Sequence, residues 1–348
     1  MVETPASIAT APWPVVGHEW AIRLLQHSLT SSARGPRHAY LFLGSPQVGK
    51  STLARAFAQA LLCTDSVQRP CGVCRACRLM EKGGHPDFRL VQPTDRNGAT
   101  DRTNGLLRVE QAAEIIHDAM LHPVEGKYKV FLIQDVHQAN DSFSNKLLKT
   151  LEEPPGYVVL ILTAHDRSSL LPTIVSRCQV LELRPVDAPS IERALVERWR
   201  ATPEEAALWS RLSHGRLGWA VQQLTSSGKG LGRQEQIAEL RQLARSRAVE
   251  RLKFSQKLAA GRNDEVLFPL LAFFFFFWRD VLLVQSGCAD SCSNIDQLDA
   301  LHEDARSFNA EEVRTFLHTL SRIEGYLRHT VNTGLALDVL LLQLPSPR

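Results

Sequence analysis

The chain has 348 residues, 44% of them hydrophobic and 22% charged, with a net charge of +3. That length accommodates two or three domains, each able to bury a core, and the near balance of charge excludes a surface that coats nucleic acid broadly. Residues 1–13 hold Glu3 and small residues without an apolar run, so they read as a flexible tail and not as a secretory signal. Seven cysteines without an export signal point to a reducing, cytoplasmic setting, where clustered thiols mean metal more often than disulfide.

Taken in chain order, the first strong pattern is Ala39–Leu43, a short apolar strand, running into Gly-Ser-Pro-Gln-Val-Gly-Lys-Ser at 44–51. A helical stretch from Thr52 to Leu62 follows. This strand–loop–helix context is what a phosphate-binding loop requires: backbone amides and a helix N-terminus converge on phosphate oxygens. Gly44, Ser45, Pro46, Gln47, Val48, Gly49, Lys50, Ser51 and Thr52 form the candidate nucleotide cradle. Lys50 supplies a cation for the β- and γ-phosphates, and Ser51 a hydroxyl for Mg²⁺. Next come Cys63, Cys71, Cys74 and Cys77. Four thiolates complete a tetrahedral Zn²⁺ shell with no open position, so the expected metal is structural, and Arg69, Arg75 and Arg78 are expected to favour the thiolates. A redox Cys-x-x-Cys or unpaired thiols are the plainer alternatives. Strand-like runs recur at Phe88–Val91, Lys129–Ile133, Val158–Thr163 and Gln179–Leu183, alternating with helical patterns. Such alternation predicts a parallel sheet covered by helices on both faces. Asp141 is placed to cap a helix carrying Phe143, Leu147, Leu148 and Leu151 on one face and ended by Pro154-Pro155. After Pro185 only helical patterns appear. The most apolar stretch, Val266–Trp278, is interrupted by Pro269 and stopped by Arg279 and Asp280; it reads as a core helix too short for a bilayer, with no membrane partner.

These motifs, with Val16-Gly17-His18, His38–Phe42, His85-Pro86-Asp87, the run Asn145–Pro155 and Leu171–Cys178, stand in the order found in the clamp-loader branch of the AAA+ proteins. The chain resembles the delta-prime subunits of bacterial DNA polymerase III, motif by motif from 14 to about 225. The resemblance implies a parallel-sheet P-loop AAA+ domain over 14–187 with an inserted four-cysteine zinc module at 63–77. A small helical lid over 188–246 and an all-α collar domain over 247–348 would follow. It implies ATP or ADP with Mg²⁺ in the loop, structural zinc, and adenine contacts near Val16. Thr163 would sense the γ-phosphate. Arg177 would act as a catalytic arginine finger, inserted into the nucleotide site of a neighbouring subunit.

Three positions depart from the ATP-hydrolysing members. The strand ending at Ile133 should be followed by Asp-Glu, but Gln134-Asp135 stands there. Glutamine is a poorer Mg²⁺ ligand than aspartate, and Asp135 is one methylene short of the water-activating glutamate. If Asp135 is instead the Mg²⁺ ligand, Val136 occupies the base's place. Gly218 falls where those members carry an arginine that reads nucleotide from the lid, and Arg216, two residues earlier on a helix, points roughly 200° away. The resulting expectation is a delta-prime stator in a hetero-oligomer with gamma/tau and delta subunits, helping an ATP-driven assembly place the sliding clamp on primed DNA. Its own ATPase would be weak or absent, and no polymerase site is in the chain. The alternatives are a gamma/tau-like motor ATPase and a zinc-dependent nucleic-acid module; the latter suffers from a lack of aromatic residues around the cysteines.

Overall fold

The computed structural model describes residues 13–30, 35–102, 104–225, 231–260, 264–327 and 331–347. The chain divides into two compact units, one running to Ala194 with Ser213–Trp219, the other Leu195–Leu212 with Ala220 onward. In the first, α1 (Glu19–Thr30) precedes β1 (Ala39–Leu43), α2 (Lys50–Leu62), α3 (Arg75–Glu81), β2 (Phe88–Val91) and α4 (Val109–Ala119). Then come β3 (Lys129–Ile133), α5 (Asp141–Glu152), β4 (Val158–Ala164), α6 (Pro172–Val175) and β5 (Gln179–Glu182). All five strands expected from the hydrophobic runs are present, within a residue at each end. They form one sheet in the order β2-β3-β4-β1-β5, and every pairing is parallel.

Alternation along the strands explains the two covered faces. Tyr40, Phe42, Val130, Leu132, Val159 and Ile161 pack with α1 and α2. The intervening Leu41, Phe131, Ile133, Leu160 and Leu162 pack with α4 and α5 on the other side. A strand buried on both faces must be apolar at every position, which is why β1 and β4 read as continuous hydrophobic runs. Trp13, assigned to the tail from sequence, is 3% exposed and belongs to this core; residues 1–12 lie outside the described residues.

Two helix starts differ from the sequence reading. The α2 helix begins at Lys50, not Thr52, because Gly49 at φ 112° turns the chain directly from loop to helix. The cap of α5 is Asn140, whose side chain accepts from the Phe143 amide at 2.7 Å; Asp141 is the first helical residue.

The α7 helix (Ala188–Trp199) spans the division between the units. Beyond it come α8 (Pro203–Leu212), α9 (Leu217–Thr225), α10 (Leu231–Arg245), α11 (Ala248–Ala260) and α12 (Asp264–Gln285). The last three are α13 (Leu298–Ser307), α14 (Ala310–Leu327) and α15 (Thr333–Leu342). All named strands lie before Pro185, as expected. Pro269, expected to interrupt the apolar stretch, lies inside α12. Placed so near the helix start, its ring costs one intrahelical bond without ending the helix. Val266–Gln285 is therefore long and apolar enough to cross a membrane by length and composition, contrary to the length inferred from sequence. Its Leu267, Leu271, Phe274, Phe277, Trp278 and Val281 nevertheless form the core of the second unit with α14 and α15. Arg279 and Asp280 lie within it too; the Asp280 carboxylate is fully buried and accepts from the Ser293 and Asn294 amides, each at 2.8 Å.

Candidate functional site: a phosphate loop beneath the ends of β3 and β4

The phosphate loop leaves the C-terminal end of β1 and is shaped by its glycines. Gly44 has φ 146°, and a Cβ there would fall 2.5 Å from the Leu183 carbonyl oxygen. No other residue type fits that approach. Gln47 also sits at positive φ, 62°. The Lys50 ammonium donates to the carbonyl oxygens of Gly44 and Ser45 at 2.6 and 2.8 Å, and so crosses the loop it would serve. Burial pushes its pKa down to about 8, with Asp135 opposing that shift. Ser51 and Gln134 line a cavity of about 500 Å³ together with Pro14, Arg55 and Glu81.

The parallel register of β3 and β4 sets Ile133 against Leu162, so the residues beyond both strand ends meet above the loop. Gln134 is buried, and its Oε1 accepts from Gln92 at 2.9 Å. Asp135 is 4% exposed in a left-handed conformation (φ 53°), and its amide donates to the Thr163 hydroxyl at 3.0 Å. Thr163, the expected γ-phosphate sensor, is itself fully buried. Arg102 reaches in from the loop after β2: its Nε and Nη2 lie 2.7 and 2.6 Å from Asp135 Oδ2. The Asp135 carboxylate is therefore paired with an arginine of its own chain. Sequence reasoning missed Arg102, because nothing in residues 92–108 has a period or a motif that announces it. It also missed two histidines. His137 and His165 stack with ring centroids 4.0 Å apart, and desolvation by burial lowers both pKa values, that of His165 to about 4. The His165 carbonyl accepts from the Gly44 amide at 3.1 Å, which joins β4 to the phosphate loop.

Other segments close on the loop from its flanks. His18 Nε2 donates to the Val48 carbonyl at 3.2 Å. The half-buried Val16, the candidate adenine contact, lies two residues before it, beside Gly17 at φ 71°. The Gly218 amide donates to the Gln47 carbonyl at 2.9 Å, and a Cβ at Gly218 would stand 3.0 Å from that oxygen. The first turn of α9 thus rests on the crest of the loop where a larger residue presses against backbone. Arg216 turns back on its own segment, donating to the Ser213 carbonyl at 3.0 Å and lying over the Trp219 ring.

The four cysteines converge as their spacing suggests. Their sulfurs all lie within 4.8 Å of one another, with Cys63–Cys74 at 3.9 Å and Cys71–Cys77 at 4.0 Å. The amides of Cys71, Cys74 and Cys77 donate to the sulfurs of Cys63, Cys71 and Cys74 at 3.3–3.4 Å. Burial disfavours the Cys74 thiolate, but the Cys77 amide and other hydrogen bonds outweigh it and bring that thiol down to about 6. Two of the three arginines expected to do this are engaged elsewhere: Arg75 pairs with Glu125 at 2.9 Å, and Arg69 donates to the Asp65 carbonyl. A compact four-sulfur set with amide donors fits a tetrahedral zinc ion. Asp87 of the His-Pro-Asp motif sits nearby as a structural anchor, accepting from the amides of Val124, Glu125 and Gly126 at 2.6, 2.8 and 2.7 Å.

Arg177 follows α6 at the rim of the first unit, a third of its side chain exposed. Its Nη1 donates to the Thr173 carbonyl at 3.0 Å and its Nη2 pairs with Glu152 at 2.7 Å.

A family model described as DNA polymerase III, delta subunit, matches residues 17–187, and one described as its C-terminal part matches 232–345. The chain belongs to the DNA polymerase III delta-subunit family. Among curated relatives, DNA polymerase III subunit tau/gamma of Haemophilus influenzae is 37% identical over 52% of this chain and 25% of its own length. Subunit delta′ of Pseudomonas aeruginosa is 38% identical over 49% of each chain. Subunit delta′ of Bacillus subtilis is 26% identical over 84% of this chain and 89% of its own. The first relatives are thus matched over a quarter to a half of their length. The phosphate loop, Asp135, Thr163 and Arg177 all fall within the first family segment. The all-parallel sheet covered by helices on both faces, with a helical second unit after it in the chain, is the architecture the sequence reading expected.

Proposed function

We propose that this chain is a delta-prime type stator of the bacterial clamp loader, carrying an AAA+ nucleotide fold that does not itself turn over ATP. The Arg102–Asp135 ion pair carries this reading. An ATPase of this class uses a glutamate beyond β3 to orient water; Asp135 there is one methylene shorter and its Oδ2 is fixed by the Arg102 guanidinium, which holds the carboxylate in place. Gln134 is turned to Gln92, and Gly218 brings no side chain to the loop. In this reading the residues Gly44–Thr52 hold ATP or ADP, with Ser51 on Mg²⁺ and Val16 beside the base. Bound nucleotide would serve as a structural ligand. Cys63, Cys71, Cys74 and Cys77 hold zinc.

The chemical contribution leaves the subunit through Arg177, whose guanidinium would stabilise charge at the γ-phosphate of a neighbouring gamma/tau subunit. Residues 188–246 would form the lid and 247–348 the collar that joins gamma/tau and delta in the cytoplasm. The assembly would open the sliding clamp and load it on primed DNA. The tau/gamma relatives make a motor ATPase the competing reading. The deciding experiment is steady-state ATP hydrolysis by the purified chain with Mg²⁺: we expect binding without measurable turnover, and turnover at the rate of a gamma-type subunit assayed alongside would overturn the proposal.

A further inference from the structure

Asp135, His137 and His165 bring one carboxylate and two imidazoles to one place, with a ligand atom from each lying within 4.8 Å of the others. They come from two strand ends and are assembled by the sheet register alone, since 28 residues separate Asp135 from Thr163 across the same junction. Three observations separate this group from an incidental cluster. The His137 Nδ1 is buried with no hydrogen-bond partner, which leaves a lone pair or an N–H unsatisfied in the interior. The His137 and His165 rings stack with centroids 4.0 Å apart, so both imidazoles are presented to one place. Arg102 contacts Asp135 through Oδ2, so Oδ1 is not used by that ion pair, and the guanidinium steadies the carboxylate as outer partners of metal ligands do. The fixed charges around the imidazoles oppose one another: Asp135 and Asp166 against Lys50 and Arg102.

We propose that Asp135, His137 and His165 form a second metal site, for a borderline divalent transition ion of the zinc class and not for Mg²⁺. Two imidazole nitrogens with one carboxylate oxygen suit zinc, cobalt or nickel, whereas Mg²⁺ requires an oxygen shell. The three ligand atoms, within 4.8 Å of one another, would have to draw closer for bonds of about 2.0–2.2 Å. The ion would satisfy His137 Nδ1 and fasten the ends of β3 and β4 directly above Lys50. It is a different site from the four cysteines, with different donor chemistry, and it stands whether or not the chain acts as a stator.

The full chain, stripped of metal and titrated with Zn²⁺ against a chromophoric chelator, tests this. Wild type is expected to take two equivalents. His137→Gln, His165→Asn and Asp135→Asn should each take one, with affinity for the second falling by at least about 100-fold, more than the loss of an outer partner costs. Circular dichroism of each metal-free variant, matched to wild type, separates a lost ligand from a lost fold. Cobalt substitution of the wild type gives an answer without any variant. The first equivalent should show thiolate charge-transfer absorption, and the second only weak ligand-field bands of nitrogen and oxygen donors. A single equivalent in wild type, or a second one unaffected by all three substitutions, would overturn the site. The readout is metal stoichiometry, so failure here leaves the ATPase test untouched.

Discussion

Arg177 is tethered on two sides before any partner arrives, by the Thr173 carbonyl and by Glu152. Both ion-pair partners are partly exposed, and such pairs are worth about 0.2–1 kcal/mol. Release toward a neighbour's phosphate, as the proposed finger role requires, would therefore be inexpensive. Arg177→Ala should change the unfolding free energy by less than about 1 kcal/mol yet abolish most clamp-stimulated ATPase in the reconstituted assembly. An assembly in which that activity survives would remove the finger from Arg177. Asp87 is the opposite kind of residue, buried and committed to three amides. Burial opposes its ionisation, but those amides prevail and hold its pKa below the ordinary 3.8. A depressed carboxylate pKa contributes stability above the unfolded value and loses it as pH falls through the folded one. Asp87→Asn should destabilise the first unit by about 1–3 kcal/mol near neutrality. It should also flatten the decline in stability below pH 4, as denaturant melts across pH would record. The roles of these residues were unequally legible. Asp87 stood out in a motif, but the amides it serves lie in a loop 37 residues away that only the fold brings near.

At the scale of elements, the hydrophobic pattern located β1 and β4 most clearly because burial on both faces leaves little polar character to blur them, whereas the edge strands β2 and β5 carry Arg89, Gln179 and Glu182 and rest on shorter runs. Helix ends were harder. Asn140 and Asp141 are adjacent residues of equal capping ability, and only the backbone turn at Asn140, with its extended conformation, chooses between them. Pro269 misled for a related reason: its effect depends on how many turns precede it, which the sequence does not state. Arg102 was hidden because it sits in a nonperiodic loop, while the histidines gave no ligand spacing until β3 and β4 lay side by side. The α12 helix supplies the core of the second unit through Trp278, which meets Phe277, Phe308 and Phe316 edge to face. Trp278→Ala should cost about 3–5 kcal/mol, measured by urea unfolding of the full chain. A loss below 1 kcal/mol would mean that this helix is not the keystone of its unit.

At the scale of the whole molecule, the cysteine cluster and the sheet differ in what holds them. The sheet rests on two apolar layers. The segment 63–81 has a short helix and four free thiols, which a bound metal would tie together. Chelation should therefore raise amide exchange in α3 and around Cys71–Cys77 while leaving β1 and β4 protected. Uniform loss of protection would instead make zinc a ligand of the entire first unit.

The strand order has a consequence for the chain as it is made. Both neighbours of β1 lie far downstream: β4 begins at Val158 and β5 at Gln179. At the usual 5–20 residues per second, Ala39–Leu43 waits roughly 6–24 s on the ribosome before the first of them exists. Throughout that interval five residues destined for complete burial have no sheet to join. The phosphate loop hangs from the end of that same strand, so a part of the site made early is locked late. Biogenesis of this protein is thus a problem of sheltering β1 until the chain has been built past Glu182.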